Sequence, residues 1–229
     1  MANSISPTAP RRQQIRSAHH TRADWSTIAS LATAGGTLVL GVATFSSVRA
    51  SQRAAQIAEQ ALLIGLRPIL ALARENDPAM TVGFADRRSV HVAGGMAAVE
   101  LDEGRVYFVV PLHNVGSGIA VLHSWRLIPE HRPGGEPDLS TFLRQTRDIF
   151  MPAGELGFWR AALRDPDDEM RAGLDEAYAA RSPLTVELLY GDHEGGQRAV
   201  TRFGLSPTDD GWLPGVSRHW RLDGVNPRD

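Results

Sequence analysis

The chain has 229 residues, 42% of them hydrophobic, enough to bury the core of one folded domain with attachments. A formal net charge of -2 and a pI near 6.4 argue against a binder of phosphate backbones, which concentrates positive charge on one face. With no cysteine, disulfides, thiolate nucleophiles and cysteine-ligated metals are excluded. All 24 basic residues are arginine, on a background rich in alanine and glycine. That reads as a composition bias, so arginine clusters are discounted and no nucleic-acid partner is expected.

Residues 1–24 read as a disordered basic tail. The stretch that follows, 25–48, is "WSTIASLATAGGTLVLGVATFSSV", 24 residues without a charge. As a helix it would run about 36 Å and cross a hydrocarbon core of about 30 Å. Trp25 at its start suits the interface with headgroups. The reading is therefore a transmembrane helix over 25–48, with the lipid bilayer as first partner. Three alternatives compete with it. One is a buried helix of a soluble protein. A second is a cleaved signal peptide ending at the small residues Val48 and Ala50, although the preceding 24 residues are long for one. The third is a twin-arginine export signal at Arg11-Arg12, where only Ile15 is apolar nearby. Arg11, Arg12, Arg16 and Arg22 precede the span, while Arg49 and Arg53 follow it closely. The positive-inside rule then predicts a cytoplasmic N-terminus and an extracytoplasmic C-terminal domain in the cell membrane.

Residues 49–66 continue as a juxtamembrane helix. Ala50, Ala54, Ile57, Ala61 and Ile64 recur in steps of four and three, and the same stripe runs back through Ser47, Ala43, Leu40 and Gly36. Small residues four apart allow close helix approach, so the stripe over 36–64 predicts a parallel homodimer. The competing readings are chance spacing in an alanine-rich segment, which the composition favours, or packing against the chain's own domain. Gly65 and Pro68 then end the helix.

From about residue 80 the period changes to two. "SVHVAGG", "MAAVELDEG", "RVYFVVPLHN" and "GIAVLHSWRLI" read as consecutive antiparallel strands, with Val106, Phe108, Val110 and Leu112 on one face. Pro111, having no donor, is expected at an edge or strand end. "RDIFM" and "ELGFWRAAL" read as strands joined by a turn at Pro152 to Gly154, and "SPLTVELLYGDHEGGQRAVTRFGL" as a hairpin with its loop at Gly191 to Gly196. One inserted helix is expected near 165–181, capped by Asp165 with Pro166 in its first turn. The tail after Leu205 either lies across the sheets or hangs loose. Seven or more short strands predict a mainly β domain over 67–229, an immunoglobulin-like antiparallel β-sandwich.

"ALLIGLRPIL", "LHNVGSGIAVLHSWRL" and "RDIFMPAGELGFW" together resemble a group of uncharacterised, membrane-anchored actinobacterial proteins with one N-terminal span and a β-rich domain. The resemblance covers about residues 38 to 205. It implies location and architecture and carries no activity.

"HNVGSGIAVL" comes nearest to a chemical signature, because Gly116-Ser117-Gly118 follows a predicted strand as a dinucleotide loop would. No helix can follow it, however, since "IAVLHSWRLIP" is rich in β-branched residues and meets Pro129. A P-loop needs the lysine this chain lacks. The stretch is read instead as a strand connection, with Asn114 fixing the bend and Gly116 and Gly118 supplying unusual backbone angles. His91, His113, His123, His131, His193 and His219 show no close metal spacing. "GDHEGG" places Asp192, His193 and Glu194 together, as a hairpin loop does in any case. Asp165, Asp167, Asp168 and Glu169 suit a helix N-terminus. No Gly-x-Ser-x-Gly elbow is present.

No catalytic, cofactor-binding or metal residue is assigned, and no cofactor is expected. The leading expectation is a single-pass membrane protein whose β-sandwich binds a protein or envelope component; exposed aromatic or apolar surface near Trp159, Trp212 or Trp220 would support it, and a uniformly polar surface with one deep, ionisable pocket would count against it. The alternative is a membrane-tethered hydrolase or metal-dependent enzyme using His113, His123 or His193 with nearby carboxylates. A third reading is a dimerising spacer without a ligand.

Overall fold

The computed structural model describes residues 20–222. The basic tail predicted over 1–24, and the arginines counted in it, fall largely outside them. The chain divides into two compact units, one up to Glu59 and one from Gln60 onward.

The first element, α1, is a helix over His20–Gly65. The hydroxyls of Ser30, Thr33, Thr37 and Thr44 each donate to the carbonyl four residues earlier, at 2.7 to 2.9 Å. The helix thus satisfies these four hydroxyls itself, which lowers the cost of an apolar surrounding. Trp25–Glu59 is long and apolar enough to cross a membrane, and none of its apolar window is buried. The helix stops at Gly65, the Leu66 amide donating back to the Leu62 carbonyl at 3.0 Å.

The rest is mainly β, with antiparallel pairing throughout. In chain order the strands are β1 (Leu70–Leu72), β2 (Met80–Gly83), β3 (Ser89–Val92), β4 (Ala98–Asp102), β5 (Arg105–Asn114), β6 (Ala120–Ile128), β7 (Leu143–Arg144), β8 (Phe150–Met151), β9 (Leu156–Leu163), β10 (Leu184–Gly191), β11 (Arg198–Thr208) and β12 (Gly211–Arg221). A first sheet centres on β5, which has β9 along one side and β4 and then β1 along the other. A second runs β12-β11-β10-β6, with β7 and β8 sharing the outer side of β6. The backbones of Ala97 and Trp212 exchange hydrogen bonds and tie the two sheets together.

Both sheets feed one core. Val106, Phe108, Val110 and Leu112 of β5 meet Leu122, Trp125 and Leu127 of β6, Val186, Leu188 and Tyr190 of β10, and Phe203 and Leu205 of β11. The four β5 residues predicted to share a face do so. The other face of β5 is covered too, because the β2-β3 hairpin lays Val82, Val90 and Val92 against Tyr107 and Val109. That double burial explains why "RVYFVV" is continuously apolar rather than alternating.

Several expectations are corrected here. The strands flanking "HNVGSG" do not pair: β5 belongs to one sheet and β6 to the other, so the loop crosses between them. The turn at Pro152 to Gly154 crosses back, since β8 pairs with β6 and β9 with β5. Pro111 lies inside the central strand rather than at an edge. It is tolerated because it falls where the neighbour of β5 changes, between the stretch paired with β4 and the stretch paired with β1, and only its carbonyl is engaged, by the Ala73 amide at 3.1 Å. The segment 165–181 is a single-turn 3-10 helix, Glu169–Arg171, followed by α2 (Leu174–Ala179). Gly173 interrupts it at φ 77. The tail after Leu205 completes β11, turns at Asp209-Asp210 and forms β12, an edge strand.

Candidate functional site

The glycine-rich loop is built around Asn114, fully buried at the end of β5. Its amide nitrogen donates to the Gly118 carbonyl at 2.7 Å and the Met151 carbonyl at 3.0 Å, and its oxygen accepts from the Gly116 amide at 3.1 Å and the Ile69 amide at 3.3 Å. All four bonds an asparagine side chain can make are made. Its main chain also holds the second crossing, accepting from Gly154 and donating to Glu155. One residue therefore fastens both crossings and the strap that leaves the helix. Gly116 and Gly118 serve the same packing. Neither has a positive φ, contrary to expectation; a Cβ on Gly118 would overlap the Leu66 carbonyl oxygen, and one on Gly116 the Arg67 carbonyl oxygen. The Val115 and Gly116 amides are engaged within the chain, by the Ile69 carbonyl at 2.8 Å and the Asn114 side chain, which takes two donors away from any phosphate.

The histidines are dispersed. His113 Nε2 lies 2.9 Å from Asp77 Oδ2, an oxygen that also accepts the Arg74 amide. That amide, foremost, and then His113 hold the Asp77 carboxyl below its ordinary range. His123 Nε2 is buried without a partner beside Gly191. Burial first, then the Arg198 charge, push its pKa down, against the pull of Asp192. His219 is likewise lowered by burial and bonds to Thr201 at 2.9 Å. His193 stands 4.0 Å from Glu194 in the exposed hairpin loop, His91 pairs with Thr81, and His131 lies against Gly204. Among the described residues no group of three or more histidines and carboxylates is placed to hold a metal ion. Asp168 caps the 3-10 helix, accepting the Met170 amide at 2.9 Å, and Asp165 accepts the Asp167 amide.

The tryptophan rings near which exposed surface would support binding are themselves largely covered, while Leu213 and Val216, on the strand that carries Trp212 and Trp220, are exposed. Trp159 and Trp212 are buried, and Trp220 is half-buried with the Arg202 guanidinium 4.7 Å from its ring centre. Arg202 itself forms a fully buried ion pair with Glu187 at 2.5 Å and donates to the Arg132 and Gly134 carbonyls. This pair pins the 132–134 loop to the outer face of the second sheet.

A different place stands out. Between β9, the edge of the first sheet, and the β7-β8 edge of the second lies a cleft of about 440 Å³. Its walls carry Arg144, Arg147, Arg160 and Arg164, with Phe84, Trp125 and Leu143 as apolar lining. The size is within the ~300–1000 Å³ usual for ligand sites. Two of the arginines are committed: Arg160 to Asp148 at 2.6 Å and Arg164 to Asp86 at 3.2 Å. Asp86 also accepts from the Tyr107 hydroxyl at 2.7 Å; burial opposes its charge, but these two bonds hold its carboxyl low. Arg144 and Arg147 are exposed and, among the described residues, form no ion pair.

Comparison with protein-family models and with curated proteins finds no match. The cleft was hidden in the sequence because its arginines come from β7, from β9 and the residue just after it, and from the turn between β7 and β8. The one local signal is "LRQTRD", where β6 pairs with two-residue strands either side of a bulge and Asp148 takes a positive φ of 51.

Proposed function

We propose that the chain is a single-pass membrane-anchored protein whose β domain is an immunoglobulin-like binding or interaction module. The observation that carries the reading is the contrast in cover: the apolar window of α1 has no buried residue, whereas the β domain closes its own core. A helix of that composition without protein cover fits lipid. The strand order supports the immunoglobulin-like assignment, since β1-β5-β9 and β11-β10-β6-β7 correspond to the A-B-E and G-F-C-C′ orders of such domains. Trp125, on the strand in the C position, packs edge-on against Trp159 at 5.5 Å, where antibody domains place a tryptophan on a disulfide.

The arginine count around the span supports a cytoplasmic N-terminus and an external β domain, in keeping with the membrane-anchored actinobacterial group the sequence resembles. The small-residue stripe over 36–64 supports pairing of two copies. Carbonate extraction and protease treatment of intact cells test the reading together. The chain is expected in the carbonate-resistant membrane fraction, with the β domain cleaved from outside. Release by carbonate would overturn the anchor, and protection of the β domain would reverse the orientation. The enzymatic alternative retains one observation, the His113–Asp77 pair. Loss of a hydrolytic activity on His113→Ala would be its signature.

A further inference from the structure

We propose that the cleft between the two sheet edges is the binding site of the domain, and that its ligand is an extended acidic peptide segment of a partner protein, added as a strand to β9. This rests on the reading of the β domain as a binding module. Three observations converge on it.

The first is the free edge. In the β5-β9 register, Leu112, Val110, Phe108 and Val106 face Gly157, Trp159, Ala161 and Leu163, and the Asn114 amide donates to the Glu155 carbonyl. The backbone groups of the odd-numbered β9 residues therefore point to β5, and those of Phe158, Arg160 and Ala162 point away from it. The Arg160 carbonyl confirms the direction, because it accepts from the Gln145 side chain at 3.4 Å in the cleft. Among the described residues β9 pairs with no strand but β5, so an edge without a neighbouring strand borders the cleft; the Gln145 side chain on the Arg160 carbonyl is the contact an added strand would have to displace.

The second is charge. Four guanidinium groups line the cleft and, among the described residues, only two have carboxylate partners, in a chain whose formal net charge is -2. Arg144 and Arg147 lie across from β9, where the carboxylates of a strand on its edge would reach them. Guanidinium and carboxylate match in shape as well as sign. The third is the apolar lining from Phe84, Trp125 and Leu143. An isolated phosphate would use the arginines but leave the strand edge and the apolar lining idle. An extended peptide alternating acidic and apolar side chains uses all three, the mode in which main-chain bonds give affinity and alternate side chains give specificity.

The test uses the full chain in neutral detergent micelles and a capped, fluorescent hexapeptide alternating glutamate and valine, read by anisotropy. Saturable binding is expected. The paired substitution Arg144→Glu with Arg147→Glu should weaken it roughly tenfold or more, while Arg53→Glu on α1 should leave it unchanged. A peptide N-methylated at every amide should also fail, because it has no donor left for the strand ladder; full binding by that peptide would overturn strand addition. Absence of binding, or binding indifferent to charge reversal at 144 and 147, would overturn the site. So would inorganic phosphate, or nanodiscs of anionic lipid, binding with the arginine dependence expected of the peptide. Unchanged tryptophan emission from the buried Trp125 and Trp159 shows that the paired variant is folded. Membrane fractionation separates the two readings: a chain that fractionates with membranes but ignores the peptide loses only this assignment.

Discussion

Two polar regions of the β domain, the Asn114 crossing and the Arg144/Arg147 cleft, are built on opposite terms. At the crossing every side-chain hydrogen-bonding position of Asn114 is used, and the glycines leave no room for a further atom. In the cleft, among the described residues, two guanidinium groups have no carboxylate partner and a strand edge has no neighbouring strand. A buried polar group with all its partners specifies one backbone arrangement, whereas exposed charges without partners contribute little to folding. The signature that resembled a cofactor loop is thus architecture, and the arginines set aside as composition are the better candidates for recognition.

Breaking the crossing should give the largest effect. Asn114→Ala removes four hydrogen bonds, leaving the buried Gly118 and Met151 carbonyls and the part-buried Gly116 and Ile69 amides without this partner. Each orphaned group costs about 1–3 kcal/mol where water cannot enter, so a loss of about 3–5 kcal/mol is expected. Urea unfolding followed by tryptophan emission would measure it, and a loss under about 1 kcal/mol would show that the cluster is not the fastening it resembles. Gly118→Ala comes next, at about 2–3 kcal/mol, because the new methyl meets main chain rather than a flexible side chain. Its damage should be local. Trypsin cleavage at Arg67 should accelerate while the core resists, and uniform proteolysis would contradict that.

How much of this was legible follows from which interactions are local. The uncharged run after Asp24 and the short apolar runs of β5 and β6 depend on neighbours in sequence, and they were read from it. The crossings were not, because nothing in "HNVGSG" states whether the following strand returns beside its predecessor or joins another sheet. That is decided by Asn114 reaching Met151, 37 residues away. The strands β7 and β8 are two residues each, too short to show a period. β12 was missed because Pro214 and Gly215 interrupt it, which an edge strand tolerates. The cleft was illegible for a further reason: with every basic residue an arginine, only convergence in space distinguishes Arg144 and Arg147 from the rest.

An intermediate effect comes from pH. Burial, foremost, holds the pKa of His123 and of His219 below the ordinary 6.5. Above about pH 6.5 both states are neutral at these positions and stability is unaffected. As pH falls through that value the unfolded chain takes up protons that the folded chain resists, so stability declines. Thermal melts from pH 7.5 to 5.5 should show a falling midpoint, and His123→Gln should flatten the fall. A midpoint that rises over this range would contradict the assigned directions.

The smallest change in stability should come from the cleft itself. Arg144→Gln with Arg147→Gln removes two charges that hold no ion pair, so the unfolding free energy should stay within about 0.5 kcal/mol of the parent. A small increase is the more informative outcome, because the pair lines the same cleft as Arg160 and Arg164, and relief of like-charge repulsion would show up as added stability. A residue kept at a cost to folding is retained for something other than the fold. If instead the double substitution destabilises the domain as Asn114→Ala does, the guanidinium groups belong to the architecture, and the contrast between the two regions collapses.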